Sequence, residues 1–170
     1  MTGPSSGIWA QYARYNRLAN EALYAACAAL SDAERRRDLG AFFGSVHGTL
    51  NHLLLGDRIW MTRFEGGEHA STDLGAILHD DFGPLRRARG DMDRRIESFF
   101  AALPAGFITR ILSYVNNSGF VSQDPAEVIV PHFFNHQTHH RAQVHTLLSQ
   151  LGRDPPVLDL HRVLRPNPTA

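Results

Sequence analysis

The stretch Asp124-Pro125-Ala126-Glu127-Val128-Ile129-Val130-Pro131-His132-Phe133-Phe134-Asn135-His136-Gln137-Thr138-His139-His140-Arg141-Ala142-Gln143-Val144-His145 reads as one long helix carrying a candidate metal site. Asp124, Pro125 and Glu127 have the pattern of an N-cap, a first-turn proline and an N3 glutamate. The helix is expected to run to about Leu151, to end at Gly152, and to be kinked by Pro131 just before the histidines. Five of the ten histidines of the chain fall within the fourteen residues from His132 to His145. His132 and His136 stand one helical turn apart, as do His136 and His140, so either pair presents two rings on one face. Two such imidazoles can close on one ion, each offering a neutral nitrogen at about 2.0–2.1 Å. The spacing alone does not choose between the pairs.

The neighbours restrict the chemistry. Gln137 follows His136, so the general base of an H-E-x-x-H protease is missing. No Glu-x-x-His occurs in the chain, against a ferritin-like di-iron site. Cys27 is the single cysteine, which excludes cysteine-based zinc sites and intrachain disulfides. His, carboxylate and water suit Zn or Ni, then Fe or Mn, better than Cu(I).

A chain of 170 residues fits one domain with its own core, here expected to span 1–170 with an extended, proline-rich tail from about 153. The lack of disulfides points to a reducing, cytoplasmic setting. No apolar run is long enough to span a membrane, and residues 1–7 have neither the basic nor the apolar region of a signal peptide. Lys+Arg and Asp+Glu both total 17, so there is no basic stripe of the kind that binds nucleic acid. Arg35-Arg36-Arg37 is expected to be a solvated helix face.

Three further helices are predicted. The first runs from about Ser6 to Leu30, with Ile8, Tyr12, Tyr15, Ala19, Ala22, Leu23, Ala26 and Leu30 as its apolar stripe. Ser31-Asp32-Ala33-Glu34 has capping-box spacing and starts a short connecting helix. The second long helix is expected from about Phe42 to Phe64, with Phe43, Val46, Leu50, Leu53, Trp60 and Phe64 on its seam and Gly66-Gly67 at its end. His52 lies mid-helix beside Ser45, Gly48, Thr49 and Gly56. These small residues fit either a pocket beside the histidine or the close approach of another segment. Asp57 falls on the seam and requires a partner, either an arginine or the site itself; Asn16 and Asn20 on the first helix pose the same question. After a Gly-, Ser- and Asp-rich loop, the third long helix runs from Asp81 or Pro84 to Leu103. Leu85, Met92, Ile96, Phe99 and Phe100 face inward, and Arg86, Arg87, Arg89, Asp91, Asp93, Arg94, Arg95 and Glu97 are expected in solvent. Residues 107–123 alternate around Asn116-Asn117-Ser118-Gly119, which predicts a small hairpin or an extended crossover. Four amphipathic helices with one long connection before the last make an all-α four-helix bundle the expected architecture. His52 is then placed to meet His136 and His140, and Gln143, on the face of both, is the preferred hydrogen-bond partner for a ligating ring.

The chain resembles the DinB/YfiT-like family of metalloenzymes. Ser45-Val46-His47-Gly48-Thr49-Leu50-Asn51-His52-Leu53-Leu54-Leu55-Gly56-Asp57-Arg58-Ile59-Trp60 is similar to its H-x4-D-x2-W segment, and Asn135-His136-Gln137-Thr138-His139-His140-Arg141-Ala142-Gln143 to its N-H-x2-H-H-R-G-Q segment. Tyr15-Asn16-Arg17-Leu18-Ala19-Asn20 resembles its opening pattern, and the likeness extends from about Ala10 to Leu160. Ala142 departs from the usual glycine, outside the ligand positions. The resemblance implies a four-helix bundle holding a divalent metal on His52, His136 and His140, which leaves His132 and His139 to support or packing roles; His47 and His145 are turned away from the ligands. Three histidines with open positions are the arrangement of a catalytic metal. The resemblance implies an enzyme acting on a small molecule, either a hydrolase or a transferase using a low-molecular-weight thiol, since relatives include S-transferases of that kind. The alternative is a metal-binding module without turnover. No general acid or base stands out, and a homodimer is the expected assembly.

Overall fold

A computed structural model describes residues 4–68 and 73–166. Its elements are α1 (Pro4–Ala28), α2 (Asp32–Arg36), α3 (Val46–Phe64), α4 (Phe82–Ala101), a 3-10 turn (Phe107–Thr109), β1 (Ile111–Val115), β2 (Val121–Pro125), α5 (Ala126–Gln150) and α6 (Leu160–Leu164). The fold is mostly helical with one two-stranded antiparallel sheet. Part of the loop expected after α3 and the last four residues of the tail lie outside the described residues, as do residues 1–3.

Local chemistry sets the element ends. Ser31 forms the expected capping box: its backbone N–H donates to Glu34 Oε2 at 2.7 Å, and its Oγ accepts from the Glu34 N–H at 3.2 Å. Helix α3 begins later than Phe42 because the chain turns tightly at Ala41–Gly44, with Gly44 at φ +72°, and Ser45 then caps the helix by accepting from the Gly48 N–H at 3.1 Å. Phe42 is left outside, 85% exposed. Helix α5 begins one residue later than its cap pattern suggests. Pro125 occupies the cap position, and Asp124 instead lies within β2, where it accepts the Tyr114 hydroxyl at 2.7 Å. The helix is continuous through Pro131, which lies near its start and removes a single main-chain donor. Gly152, at φ +69°, ends it. The hairpin pairs Ile111 with Pro125 and Val115 with Val121.

Helix α1 packs on α4 and α5, and α3 packs on the same two. Leu23, Leu50, Leu53, Leu54, Ile96, Phe100, Phe133, Val144 and Leu148 are fully buried between them. Ile8, expected on the stripe of α1, is 48% exposed. The segment after α5 returns along α1, where the Tyr15 hydroxyl donates to the Leu158 carbonyl at 2.7 Å and α6 makes contact.

Within this core lies a charged network. Asp57 Oδ2 stands 2.7 Å from Arg89 Nη1, and Arg89 Nη2 stands 2.9 Å from Asp93 Oδ1. Asn20 donates to Asp93 at 2.9 Å and Asn16 at 3.5 Å. Arg141 donates to Asn16 and Gln137 donates to Asp57. Arg89 and Asp93 were expected in solvent, and the structure corrects this: both are 2% exposed. The sequence signal was present, since Leu85, Arg89, Met92 and Ile96 share one helical stripe. Asp57 has the arginine partner that its place on the seam requires. Burial pushes both carboxyls above their usual range, against the pull of Arg89.

Replacing Arg89 by Met should therefore remove the direct ion-pair partner of two buried carboxylates, leaving only the more distant Arg141, and cost about 3–5 kcal/mol of stability. Arg94→Met, on the exposed face of the same helix, should cost under about 1 kcal/mol. Urea unfolding of the two variants decides the point; equal losses would show that the network contributes nothing special.

Candidate metal centre

His52 projects from the middle of α3, and His136 and His140 stand one turn apart on α5. Their Nε2 atoms converge: 3.2 Å from His52 to His136, 3.1 Å from His52 to His140, and 3.1 Å from His136 to His140. The three residues form the cluster, among those described, that could hold a metal ion. His132 is not in it, so the structure brings together the pair His136/His140 rather than His132/His136.

The outer nitrogens show what the inner ones present. His52 Nδ1 lies 2.9 Å from the Leu74 carbonyl, which can only accept, so Nδ1 carries the proton and Nε2 a lone pair. His140 Nδ1 lies 2.7 Å from Gln143 Oε1, and the Gln143 amide nitrogen faces His139 at 3.3 Å, consistent with the oxygen facing His140. His140 Nε2 is then also a lone pair. Two imidazole lone pairs 3.1 Å apart repel unless a cation lies between them. His136 Nδ1 is buried and without a hydrogen-bond partner, so the protein leaves that tautomer free to follow what its Nε2 binds. Burial, and then the neighbouring histidines, push His136 down to about 3. Burial likewise lowers His140 to about 4, opposed by its bond to Gln143, and lowers His52. The rings are thus neutral at pH 7, as ligands must be. At ligand distances of about 2.0–2.1 Å, nitrogens so spaced subtend roughly 95–105° at an ion, which fits three corners of a tetrahedron or one face of an octahedron. The donor set therefore fits a divalent metal.

The small residues around His52 serve close approach. A Cβ on Gly48 would stand 2.2 Å from the Phe43 carbonyl oxygen, so only glycine admits the turn that precedes α3. The ring of Phe43 then stacks on His52, with centroids 3.8 Å apart and planes at 18°. A Cβ on Gly56 would stand 2.9 Å from His136 Cε1, so the space beside Gly56 is filled by the second histidine. Ser45 is the helix cap, and Thr49 donates to the Ser45 carbonyl at 2.8 Å.

A cavity of about 280 Å³ opens beside the cluster, lined by His52, Gly56, Trp60, Arg63, Tyr114, His132 and His136 among others. Two larger hollows, of about 510 and 640 Å³, lie between α1, α5 and the returning tail, and none of the three clustered histidines lines them. Of these three, the cavity of about 280 Å³ is the one bordered by clustered histidines, His52 and His136. His132 stands in its wall, its ring 5.5 Å from Trp60 and 6.1 Å from His136. His47 bonds the His79 carbonyl at 2.9 Å, and His145 borders one of the larger hollows. The sequence reading missed Phe43 as a cover for His52, the Leu74 carbonyl, and the roles of Arg63 and Tyr114 in the cavity wall. The backbone carbonyl has no sequence signal. Arg63 does have one, since it continues the stride of His52, Gly56 and Trp60 along α3.

Two substitutions test how the rings are held. Gln143→Ala should lower zinc affinity about 10- to 100-fold by removing the acceptor on His140, with little change in melting temperature. Gly56→Ala should weaken zinc at least as much, because His136 must move. Competition with a chromophoric chelator measures both, and an unchanged affinity in both variants would show that the rings need no such support.

No curated protein matches the chain. A family model described as DinB family matches residues 2–169. That is nearly the whole sequence, and the chain belongs to the DinB family.

Proposed function

We propose that the chain is a single-domain four-helix bundle that holds a divalent metal on His52, His136 and His140 and acts as an enzyme on a small molecule. The observation that carries this reading is the convergence of three neutral imidazole nitrogens, with two inner lone pairs set by outer hydrogen bonds, beside a cavity of about 280 Å³. Zn or Ni fits the all-nitrogen donor set best, with Fe or Mn as alternatives. When bound there, such an ion supplies a Lewis acid that lowers the pKa of a water or a thiol and so provides a nucleophile near neutral pH. The Leu74 carbonyl and Gln143 hold two rings in the ligating tautomer, and Phe43 covers His52. The cavity favours turnover over a closed binding module, because a structural site needs no open space beside it. Hydrolysis and low-molecular-weight-thiol transfer both fit. The balanced charge favours small-molecule substrates over nucleic acid, and we propose a cytoplasmic homodimer. Among the described residues no helix is long and apolar enough to cross a membrane.

Metal analysis of the purified protein, followed by transfer assays with a panel of thiols and electrophiles and by ester and amide hydrolysis assays, tests the reading. We expect about one divalent ion per chain, lost in His136→Ala, and metal-dependent turnover in one assay class. Metal binding without turnover in any class would favour the non-catalytic module. No metal in the wild type or after reconstitution would overturn the site. At zinc concentrations near 100 times Kd, chelation should remove about 2.7 kcal/mol of stabilisation and leave the chain folded; unfolding on chelation would make the metal structural.

The pH dependence follows from the same shifts. The folded-state values of His136 and His140 lie below the ordinary 6.5. In the metal-free chain the unfolded state therefore takes up protons first as pH falls. The histidine contribution to stability is complete above about pH 6.5 and declines progressively towards about pH 4. Melting temperatures of the metal-free wild type and of His136→Gln between pH 8 and 4 check this, and a wild-type slope no steeper than that of the variant would rule it out.

A further inference from the structure

The cavity beside the histidines has a second pole. Arg63 reaches into its wall beneath the hairpin, with its guanidinium carbon 4.7 Å over the Trp60 ring and 4.3 Å over the Tyr114 ring. One Nη2–H donates to the Val115 carbonyl at 3.0 Å, and the buried Nε–H has no acceptor among the described residues. None of the ion pairs among the described residues includes Arg63, whereas the fully buried Arg89 meets two carboxylates. Among the described residues no Asp or Glu lines the cavity, and the nearby Asp124 accepts the Tyr114 hydroxyl. Arg63 is thus a partly buried cation whose lost hydration is offset by ring faces rather than by an anion. Stacking covers the faces of a guanidinium and burial closes its Nε side, so the two Nη groups are the edge left to grip a carboxylate in plane.

We propose that this cavity binds a small organic anion, with Arg63 pairing its carboxylate or similar group while the other end of the ligand lies at the three histidines. His52, Gly56, Trp60 and Arg63 succeed one another along one side of α3, so the cavity runs from the histidines to the arginine and suits an elongated ligand. Its volume of about 280 Å³ lies just below the roughly 300–1,000 Å³ usual for small-molecule sites, which restricts it to a slender ligand. The inference rests on the function proposed above only for treating the cavity as a substrate site; the pairing at Arg63 needs no metal.

The test uses the metal-free, ¹⁵N-labelled full chain with Trp9→Phe, so that Trp60 is the only tryptophan. Hexanoate and hexan-1-ol are titrated at pH 7 while the Trp60 indole N–H resonance is followed. Hexanoate should bind at least tenfold tighter than the alcohol, and Arg63→Met should abolish that preference. Arg63→Lys, which keeps the charge but not the planar fork, should reduce it at least threefold; this variant decides if Arg63→Met does not fold. Equal affinities, no shift with either ligand, or a preference that survives substitution would overturn the proposal and leave Arg63 as a brace between α3 and the hairpin. Divalent-metal stoichiometry of the same protein, measured separately after reconstitution, distinguishes the two readings. Metal bound without a hexanoate preference sinks this proposal alone, and a hexanoate preference with no divalent metal bound sinks the metal site alone.

Discussion

The pairing of Asp57 with Arg89, extended by Asp93, Asn16, Asn20, Gln137 and Arg141, is the interaction on which the arrangement of the helices depends. Apolar side chains between helices tolerate small slides, because one methyl replaces another at little cost. Buried charges do not, since a displaced partner leaves an ion in a medium that cannot solvate it. Two acids and two arginines, each almost fully buried, tie α1, α3, α4 and α5 to one another. The network sums to zero formal charge, so it can be buried as a unit.

The network bears directly on the histidines through the helical period. Gln137 follows His136 and Arg141 follows His140, so each ligand candidate has as its next residue a member of the network, turned about 100° round the helix. One side of α5 faces the cavity and the next faces the charges. On α3, Asp57 follows His52 by five residues and looks to the other side. Fixing Gln137 against Asp57 therefore fixes how far α5 can slide along α3, and with it the distance between His136 or His140 and His52. Contacts of 3.1–3.2 Å between nitrogens on two helices require such a restraint, because the histidines repel one another in the absence of a cation.

Much of this was legible in the sequence, and the remainder has identifiable physical reasons. The capping box at Ser31, the turn at Asn116–Gly119 and the stop at Gly152 are local, and they stand within a residue of where they were read. His52, His136 and His140 could be placed on facing helices, although spacing alone left His132 open until the family resemblance was weighed. Arg89 and Asp93 were misjudged because charge was read as exposure, whereas position on the stripe with Leu85 and Ile96 was the stronger indicator. The small residues near His52 were ambiguous for a reason internal to sequence: a glycine marks an approach without naming what approaches. At Gly48 it is a backbone carbonyl, and at Gly56 it is the ring of His136. The start of α3 was misplaced because Phe42 and Phe43 look like seam residues, while the turn that swings Phe43 onto His52 depends on Gly44 and on a cap at Ser45.

These details separate two tasks that a single histidine cluster must meet. The rings must be neutral and close together before any ion arrives, and the closeness is unfavourable because the inner lone pairs repel. Neutrality comes from burial, which lowers all three pKa values. Closeness comes from the buried charges and from the absence of a Cβ at Gly56. Orientation comes from two acceptors of different kinds, a loop carbonyl at Leu74 and a helix amide at Gln143. His136, with no partner for its outer nitrogen among the described residues, is the member whose tautomer stays open. With two inner lone pairs set and the third ring free to present its own, the three histidines could hold a metal ion, and the donor set rather than the fold narrows which one.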